Sequence, residues 1–217
     1  MKQFAIIGLG RFGTSVATTL INMGYEVLGI DVNEERVNEL GDKLTQAVKV
    51  DAIDEPVLKA LGIRNFDVVV VAIGKNIQAN ILVSVMLKEM GVNKVVAKAQ
   101  TDLHGKVLER VGVDKVVYPE RDMGIKVAQA LVSKNIMDQI ALSPEHSLVE
   151  MAVPPDFINK SLEKSNARQK YGVSILAIRR GVEIIISPHP SQVMLEGDIL
   201  VVIGKNEKLQ KFETIDI

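Results

Sequence analysis

The stretch that most limits what this chain can fold into is residues 4–31. An apolar run, Phe4-Ala5-Ile6-Ile7, leads into the loop Gly8-Leu9-Gly10-Arg11-Phe12-Gly13; a helical stretch follows, then a second apolar run, Val27-Leu28-Gly29-Ile30, and Asp31. That order is the βαβ fingerprint of a dinucleotide site. Gly8 permits the tight turn out of the strand, Gly10 lets the backbone approach a pyrophosphate, and Gly13 allows the helix to pack close to the sheet. Phosphates are then expected on the helix N-terminus, where unpaired N–H groups and the positive end of the dipole meet them. Asp31 is placed to accept from both ribose hydroxyls, and its charge opposes a 2′-phosphate, so NAD or ADP/ATP is expected over NADP. Arg11 has two readings: a guanidinium that reaches a terminal phosphate or a neighbouring subunit, or a solvated arginine at a helix start.

Beyond Asp31 the strand–helix alternation continues. Residues 33–44 read as a helix with Asn33 as N-cap, 47–51 as a strand, and 54–61 as a helix. Residues 67–73 form the continuous apolar run of a central parallel strand. Helices are expected at 77–90, 104–111 and 121–133, and strands at 94–99 and 115–118. Six strands alternating with helices make a Rossmann-like, doubly wound α/β domain over residues 1–134, with ligands at the carboxyl ends of the strands. Residues 135–142 read as a linker. From residue 143 to 217 the pattern becomes a small α+β domain. It comprises a strand at 147–153, a turn at Pro154-Pro155, a polar helix at 161–170, a hairpin of 173–178 and 182–186 around Arg179-Arg180-Gly181, and a last strand at 199–204.

Composition narrows the function. A net charge of −1 gives no basic footprint for nucleic acid, and the absence of cysteine removes disulfides and thiolate chemistry. Apolar content of 47% with only 4% aromatics suits a parallel sheet rich in Val, Ile and Leu. No apolar run approaches the ~18 residues of a membrane span, so a cytoplasmic placement is expected. The histidines, His104, His146 and His189, are scattered and read as surface or satisfied structural residues. At the expected strand ends, Asp51 meets an adenine or ribose edge or starts a helix. Gly74 and Asn76 leave room for a ligand. Lys98 pairs a phosphate or is solvated, the latter being the commoner fate of lysine, and Glu120 ligates a hard cation or, as the residues alone favour, faces solvent. A binding module leads; the alternative is a small NAD-dependent oxidoreductase.

Several further strings accompany the glycine loop: Leu61-Gly62-Ile63-Arg64-Asn65-Phe66-Asp67, Val71-Ala72-Ile73-Gly74-Lys75-Asn76-Ile77-Gln78-Ala79, Lys98-Ala99-Gln100 and Pro119-Glu120-Arg121-Asp122-Met123. With it they closely resemble the cytosolic regulatory subunits of bacterial Ktr potassium transporters, members of the family of domains that regulate conductance of potassium. The resemblance covers the whole chain. Ala167-Arg168-Gln169-Lys170-Tyr171-Gly172 before the hairpin and Ser187-Pro188 after it look like that family's C-terminal ligand-binding domain.

The resemblance implies a homo-oligomer of dimers forming an octameric ring on the cytoplasmic side of a membrane-embedded potassium transport subunit, without nucleic acid. ATP or ADP, or NAD(H), would occupy the glycine loop and change the ring's shape. The implied nucleotide set is Gly8, Gly10, Arg11, Phe12, Gly13, Asp31, Val32, Asp51, Ala52, Ala72, Ile73, Gly74, Asn76, Lys98 and Glu120. In it Arg11 reaches the terminal phosphate across a subunit contact, and Glu120 also binds a divalent or sodium ion between paired domains. The third-strand tip, Val50-Asp51-Ala52-Ile53, departs from the usual glycine and threonine. In the C-terminal domain the resemblance implies cyclic di-AMP, with Arg168 on a phosphate and Leu162, Ala167, Ser174, Ile175, His189 and Pro190 around it. The residues alone read there as core, interface and surface charge.

Overall fold

A computed structural model describes residues 2–132 and 136–213. The chain divides into two compact units, Met1–Asp122 and Met123–Ile217.

In the first unit the strands are β1 (Gln3–Ile7), β2 (Glu26–Asp31), β3 (Gln46–Lys49), β4 (Val68–Val71), β5 (Val95–Lys98) and β6 (Lys115–Val117). They form one parallel sheet in the order β3-β2-β1-β4-β5-β6. Helices α1 (Arg11–Asn22), α2 (Glu34–Gly41), α3 (Glu55–Ala60), α4 (Ile77–Glu89) and α5 (Asp102–Arg110) connect them. Alternate residues of each central strand serve two cores. Ala5, Ile7, Val69 and Val71 pack with Leu58, Val83, Leu87 and Leu108, whereas Ile6 and Val70 pack with Ala17, Val37 and Leu40. Burial on both faces is why these strands carry uninterrupted apolar runs. The strand order reverses direction between β1 and β4, and in an open α/β sheet the ligand crevice lies there.

Side-chain caps fix the helix starts that border this crevice. Asn33 Oδ1 accepts from Arg36 N at 3.2 Å, Asn76 Oδ1 from Ala79 N at 3.0 Å, and Thr101 Oγ1 from His104 N at 3.2 Å. The last cap starts α5 two residues earlier than the apolar period indicates. The helix expected from 121 begins at Pro119: α6 (Pro119–Val132) puts Glu120 in its first turn, not at a strand end. Its expected end at Ser133 lies outside the described residues.

The second unit is a five-stranded antiparallel sheet, β10-β9-β11-β8-β7, built from β7 (Ile136–Ala141), β8 (His146–Ala152), β9 (Val173–Arg180), β10 (Glu183–Ile186) and β11 (Ile199–Lys205). Strict alternation along β8 turns Ser147, Val149 and Met151 inward. They meet Leu200, Val202 and a cluster of Phe157, Tyr171 and Phe212, the last from α8 (Asn206–Glu213). Three features differ from the sequence reading. Apart from residue 135, which lies outside the described residues, most of the expected linker is β7, paired with β8 through a bulge at Ile136/Asp138. The helix expected over 161–170 is broken: α7 (Leu162–Ser165) stops at Asn166, whose φ of 48° is left-handed, and a π-type turn, Ala167–Tyr171, follows. Helix α8 was not anticipated.

Candidate functional site

A cleft of about 680 Å³ opens at the carboxyl ends of β1, β2, β4 and β5. The glycine loop forms its floor. Gly8 has φ 99°, and a Cβ there would lie 3.0 Å from the Ala72 and Ile73 backbone, so a side chain is excluded by both torsion and space. Gly8 N also donates to Ile30 O at 2.7 Å, pinning the loop to β2. Gly10 has no heavy atom within 4 Å of where a Cβ would stand, and its extended backbone precedes α1. This is the open ground over a helix N-terminus that a phosphate requires. Gly13 does not line the cleft; its Cβ position falls 1.9 Å from Gly8 O, so its part is to let α1 close against the loop.

The structure brings the other fourteen nucleotide-set residues, from Gly8 to Glu120, to this cleft. Phe12 and Lys98 face each other across it, with Lys98 Nζ 5.8 Å from the ring centroid. Ala72, Ile73, Gly74 and Asn76 follow β4, and Lys98 Nζ would stand 3.6 Å from a Cβ at Gly74. Val32, Ala52 and Asp51 form the β2–β3 side. Asp51 Oδ1 accepts from Ile53 N at 3.0 Å and the residue is exposed.

Asp31 is buried, and its carboxylate is already engaged. Oδ2 accepts from Leu9 N at 2.6 Å and from Arg36 Nη1 at 3.3 Å, and Oδ1 accepts from Asn33 N at 2.8 Å. The sequence reading left Arg36 out. Its signal was available: a cation in the first turn of α2, one turn beyond the acid and the Asn33 cap.

Lys98 is not the solvated lysine that base rates favour. It is 8% exposed, and its ammonium pairs with Glu120 Oε1 at 2.5 Å. Hydrogen bonding to Lys98 holds the Glu120 carboxyl below the usual carboxylate range, partial burial opposes this, and the Arg11 guanidinium adds to the lowering. Asn80, also missed, is fully buried and ties two strand ends together: its Nδ2 donates to Ile73 O at 2.8 Å and to Lys98 O at 3.1 Å. His104 corrects the expectation of a surface or satisfied histidine. It is 3% exposed; Gln100 N donates to its Nδ1, Nε2 has no partner among the described residues, and burial lowers its pKa.

The metal expectation fares differently. Glu120 offers one carboxylate, already held by a lysine, and among the described residues no group of three or more His, Cys, Asp or Glu side chains is placed to hold a metal ion. Within one chain Glu120 alone would supply a ligand, so an ion there would need a second chain's groups.

In the second unit, Leu162 N donates to Gln192 O at 3.0 Å and Glu163 N to Pro190 O at 2.9 Å, which brings Leu162 beside the His189-Pro190 turn. Arg168 and His189 are exposed, and Ser174 and Ile175 lie half-buried on β9. Ala167 belongs to the core at 7% exposure rather than to an open surface.

The TrkA-N domain model matches residues 4–119 and the TrkA-C domain model residues 148–215. The Ktr system potassium uptake protein C of Bacillus subtilis is 48% identical over 212 residues, covering 98% of this chain and 96% of that one. The chain belongs to the Ktr potassium uptake family. Ktr system potassium uptake protein A of Bacillus subtilis is 46% identical over 98% of this chain and 96% of its own. That of Vibrio alginolyticus is 36% identical over 96% and 94%. All the residues that line the cleft of this Ktr-family chain, except Glu120, fall within the TrkA-N match. Among solved structures, the RCK domain of the GsuK channel matches with TM-score 0.68 at 19% identity, over 98% of this chain and 47% of that one. The GsuK channel bound to NAD matches with TM-score 0.67 at 19% identity, over 98% and 39%. At that identity the likeness establishes the fold, a Rossmann-like parallel sheet followed by an antiparallel sheet domain. Among the described residues no helix is long and apolar enough to cross a membrane.

Proposed function

We propose that this chain is a non-catalytic cytosolic regulator of a potassium uptake system, whose TrkA-N domain binds ATP, ADP or NAD(H) and passes its ligand state to a membrane-embedded transport subunit. The observation that carries the reading is the open backbone at Gly10 over the start of α1, in a cleft also lined by Lys98 and by Asp31, which is held to the loop through Leu9 N. Pyrophosphate and ribose are thereby given separate partners. The names of the full-length relatives supply potassium uptake as the process.

A ligand shifts a conformational equilibrium only by the difference in its affinity for the two states. A terminal phosphate added to ADP brings charge to a cleft that already holds Lys98 and the exposed Arg11. If Arg11 meets that phosphate at a contact between subunits, ATP and ADP favour different assemblies without any bond being broken. An oxidoreductase would draw a proton donor from the same cleft, where Lys98 is paired with Glu120. We also propose that the chain assembles through dimers into an octameric ring, and that the TrkA-C domain takes cyclic di-AMP with Arg168 on a phosphate. Residues Leu162, Ser174, Ile175, His189 and Pro190 would surround that ligand.

Calorimetry with ATP, ADP, NADH and cyclic di-AMP on the purified chain, alongside light scattering, tests these readings. We expect an adenine nucleotide to bind at one site per chain, and a mass near eight chains. Replacing Arg11 by Ala should shrink the ATP-to-ADP affinity ratio while ADP affinity hardly moves. A chain that binds no adenine nucleotide, or stays monomeric across micromolar concentrations, would remove the proposal's basis.

A further inference from the structure

Arg36 is the unassigned residue at the cleft whose geometry points to a role, and that role rests on the nucleotide reading above. Its guanidinium lines the cleft and touches the carboxylate assigned to the ribose. A carboxylate has roughly four acceptor lobes. Leu9 N, Asn33 N and Arg36 Nη1 already use three of those on Asp31. A ribose diol brings two hydroxyl donors, one more than the remaining lobe can take, so one resident donor must leave.

The three donors are not equally free to go. Leu9 N belongs to the glycine loop that Gly8 pins to β2, and Asn33 N belongs to the residue that caps α2. Both are backbone groups at 2.6 and 2.8 Å. Arg36 makes the longest of the three contacts, 3.3 Å, from a flexible side chain that is 43% exposed. With its guanidinium half-exposed and its contact the longest of the three, Arg36 is the donor that can reach water on release and so the one that yields. Once displaced, the guanidinium stays tethered to the first turn of α2, beside the oxygen it has just left.

What lies beside that oxygen, when the acid holds the ribose, is the 2′ position. A 2′-hydroxyl gives Arg36 nothing it needs. A 2′-phosphate gives it a dianion that a guanidinium grips in bidentate fashion. We propose that Arg36 sets the ribose specificity of this cleft: it competes with an ordinary ribose for Asp31 and compensates that acid's repulsion of a 2′-phosphate. The site then admits 2′-phosphorylated adenine nucleotides that Asp31 alone would reject. This softens the preference for an unmodified ribose drawn from Asp31 in the sequence.

The test uses two probes that differ only at the 2′ position, AMP and adenosine 2′,5′-bisphosphate, titrated into the full chain by calorimetry. The backbone N–H of Arg36, not its side chain, bonds the Asn33 cap, so Arg36→Gln keeps the start of α2. We expect the wild type to bind the bisphosphate within about tenfold of AMP. In Arg36→Gln the two affinities should move in opposite directions, AMP tightening up to about threefold and the bisphosphate weakening at least about tenfold. Parallel changes, or an unchanged ratio, would overturn the role of Arg36 while leaving the nucleotide site standing. If neither AMP nor ADP binds the wild type, the site itself is refuted and this inference with it; if ADP binds and AMP does not, ADP and its 2′-phosphorylated analogue serve as the pair.

Discussion

Replacing two glycines of one loop by alanine should separate folding from binding. At Gly13 the added Cβ would sit 1.9 Å from Gly8 O and 3.0 Å from Gly8 C, both backbone atoms that cannot swing aside. Ordinary contact begins near 3.4 Å, so α1 and the loop must part by more than an ångström. The loop resists, because Gly8 N is bonded to Ile30 O at 2.7 Å and Thr14 N to Gly10 O at 2.8 Å. Overpacking of this kind costs about 1–3 kcal/mol. For a chain of this size that lowers the melting temperature by roughly 3–10 °C. At Gly10 a Cβ meets nothing within 4 Å, and φ of −74° suits any residue. Losing glycine at an N-cap costs at most about 1 kcal/mol.

Gly10→Ala should therefore melt close to wild type yet lose ADP binding, because the methyl group occupies the space over the α1 amides. Gly13→Ala should melt early even without ligand. Thermal denaturation with and without saturating ADP, together with calorimetry, reads both. Gly10→Ala with wild-type ADP affinity would show that the phosphates lie elsewhere, and Gly13→Ala with an unchanged melting temperature would show that the loop relaxes freely.

Two further outcomes follow from ion pairs. Lys98→Met should weaken ADP binding by at least about tenfold, whereas Glu120→Gln should strengthen it by freeing the ammonium for phosphate, both read by calorimetry; equal effects would mean Lys98 serves only Glu120. In the second unit, hydrogen bonding to Arg180 holds the Asp198 carboxyl below the usual carboxylate range, against burial that raises it. Because the folded value is lowered, the pair's stabilisation is complete above the unfolded value, about 3.9, and is lost as pH falls through the folded one. Unfolding of Asp198→Asn should accordingly lose part of its acid dependence below about pH 4, and a pH series of denaturant melts that parallels wild type would contradict this.

The first unit was legible because its rules are local. Four consecutive valines, Val68–Val71, must be a strand covered on both faces, and Asn33 and Asn76 announce their helices one residue ahead. What stayed hidden depends on neighbours that the chain order does not reveal. Lys98 is buried because Phe12 stands over it and Glu120 reaches it from a helix 22 residues on. Arg36 matters because α2 turns it back onto Asp31. In the second unit, β7 reads poorly because a bulge at Ile136/Asp138 breaks its alternation against β8. The polar period of 161–170 continues past Asn166, but a single left-handed residue interrupts the helix that the period predicts.

The place of β11 also sets the order in which this chain can be completed during synthesis. β8 pairs with β7 and β9 pairs with β10, each with an antiparallel neighbour close in sequence. Only β11 joins the two halves, with β8 on one side and β9 on the other. The parallel sheet of the first unit has all its strands once Val117 has emerged from the ribosome, and domains tend to fold as units from the N-terminus. The second sheet must instead wait as two open pairs, with edges unsatisfied, until Ile199–Lys205 arrives between them. A nascent chain halted after Ile186 but before Ile199 would thus present a finished parallel-sheet unit followed by a split sheet, the form most exposed to pairing with the wrong strand.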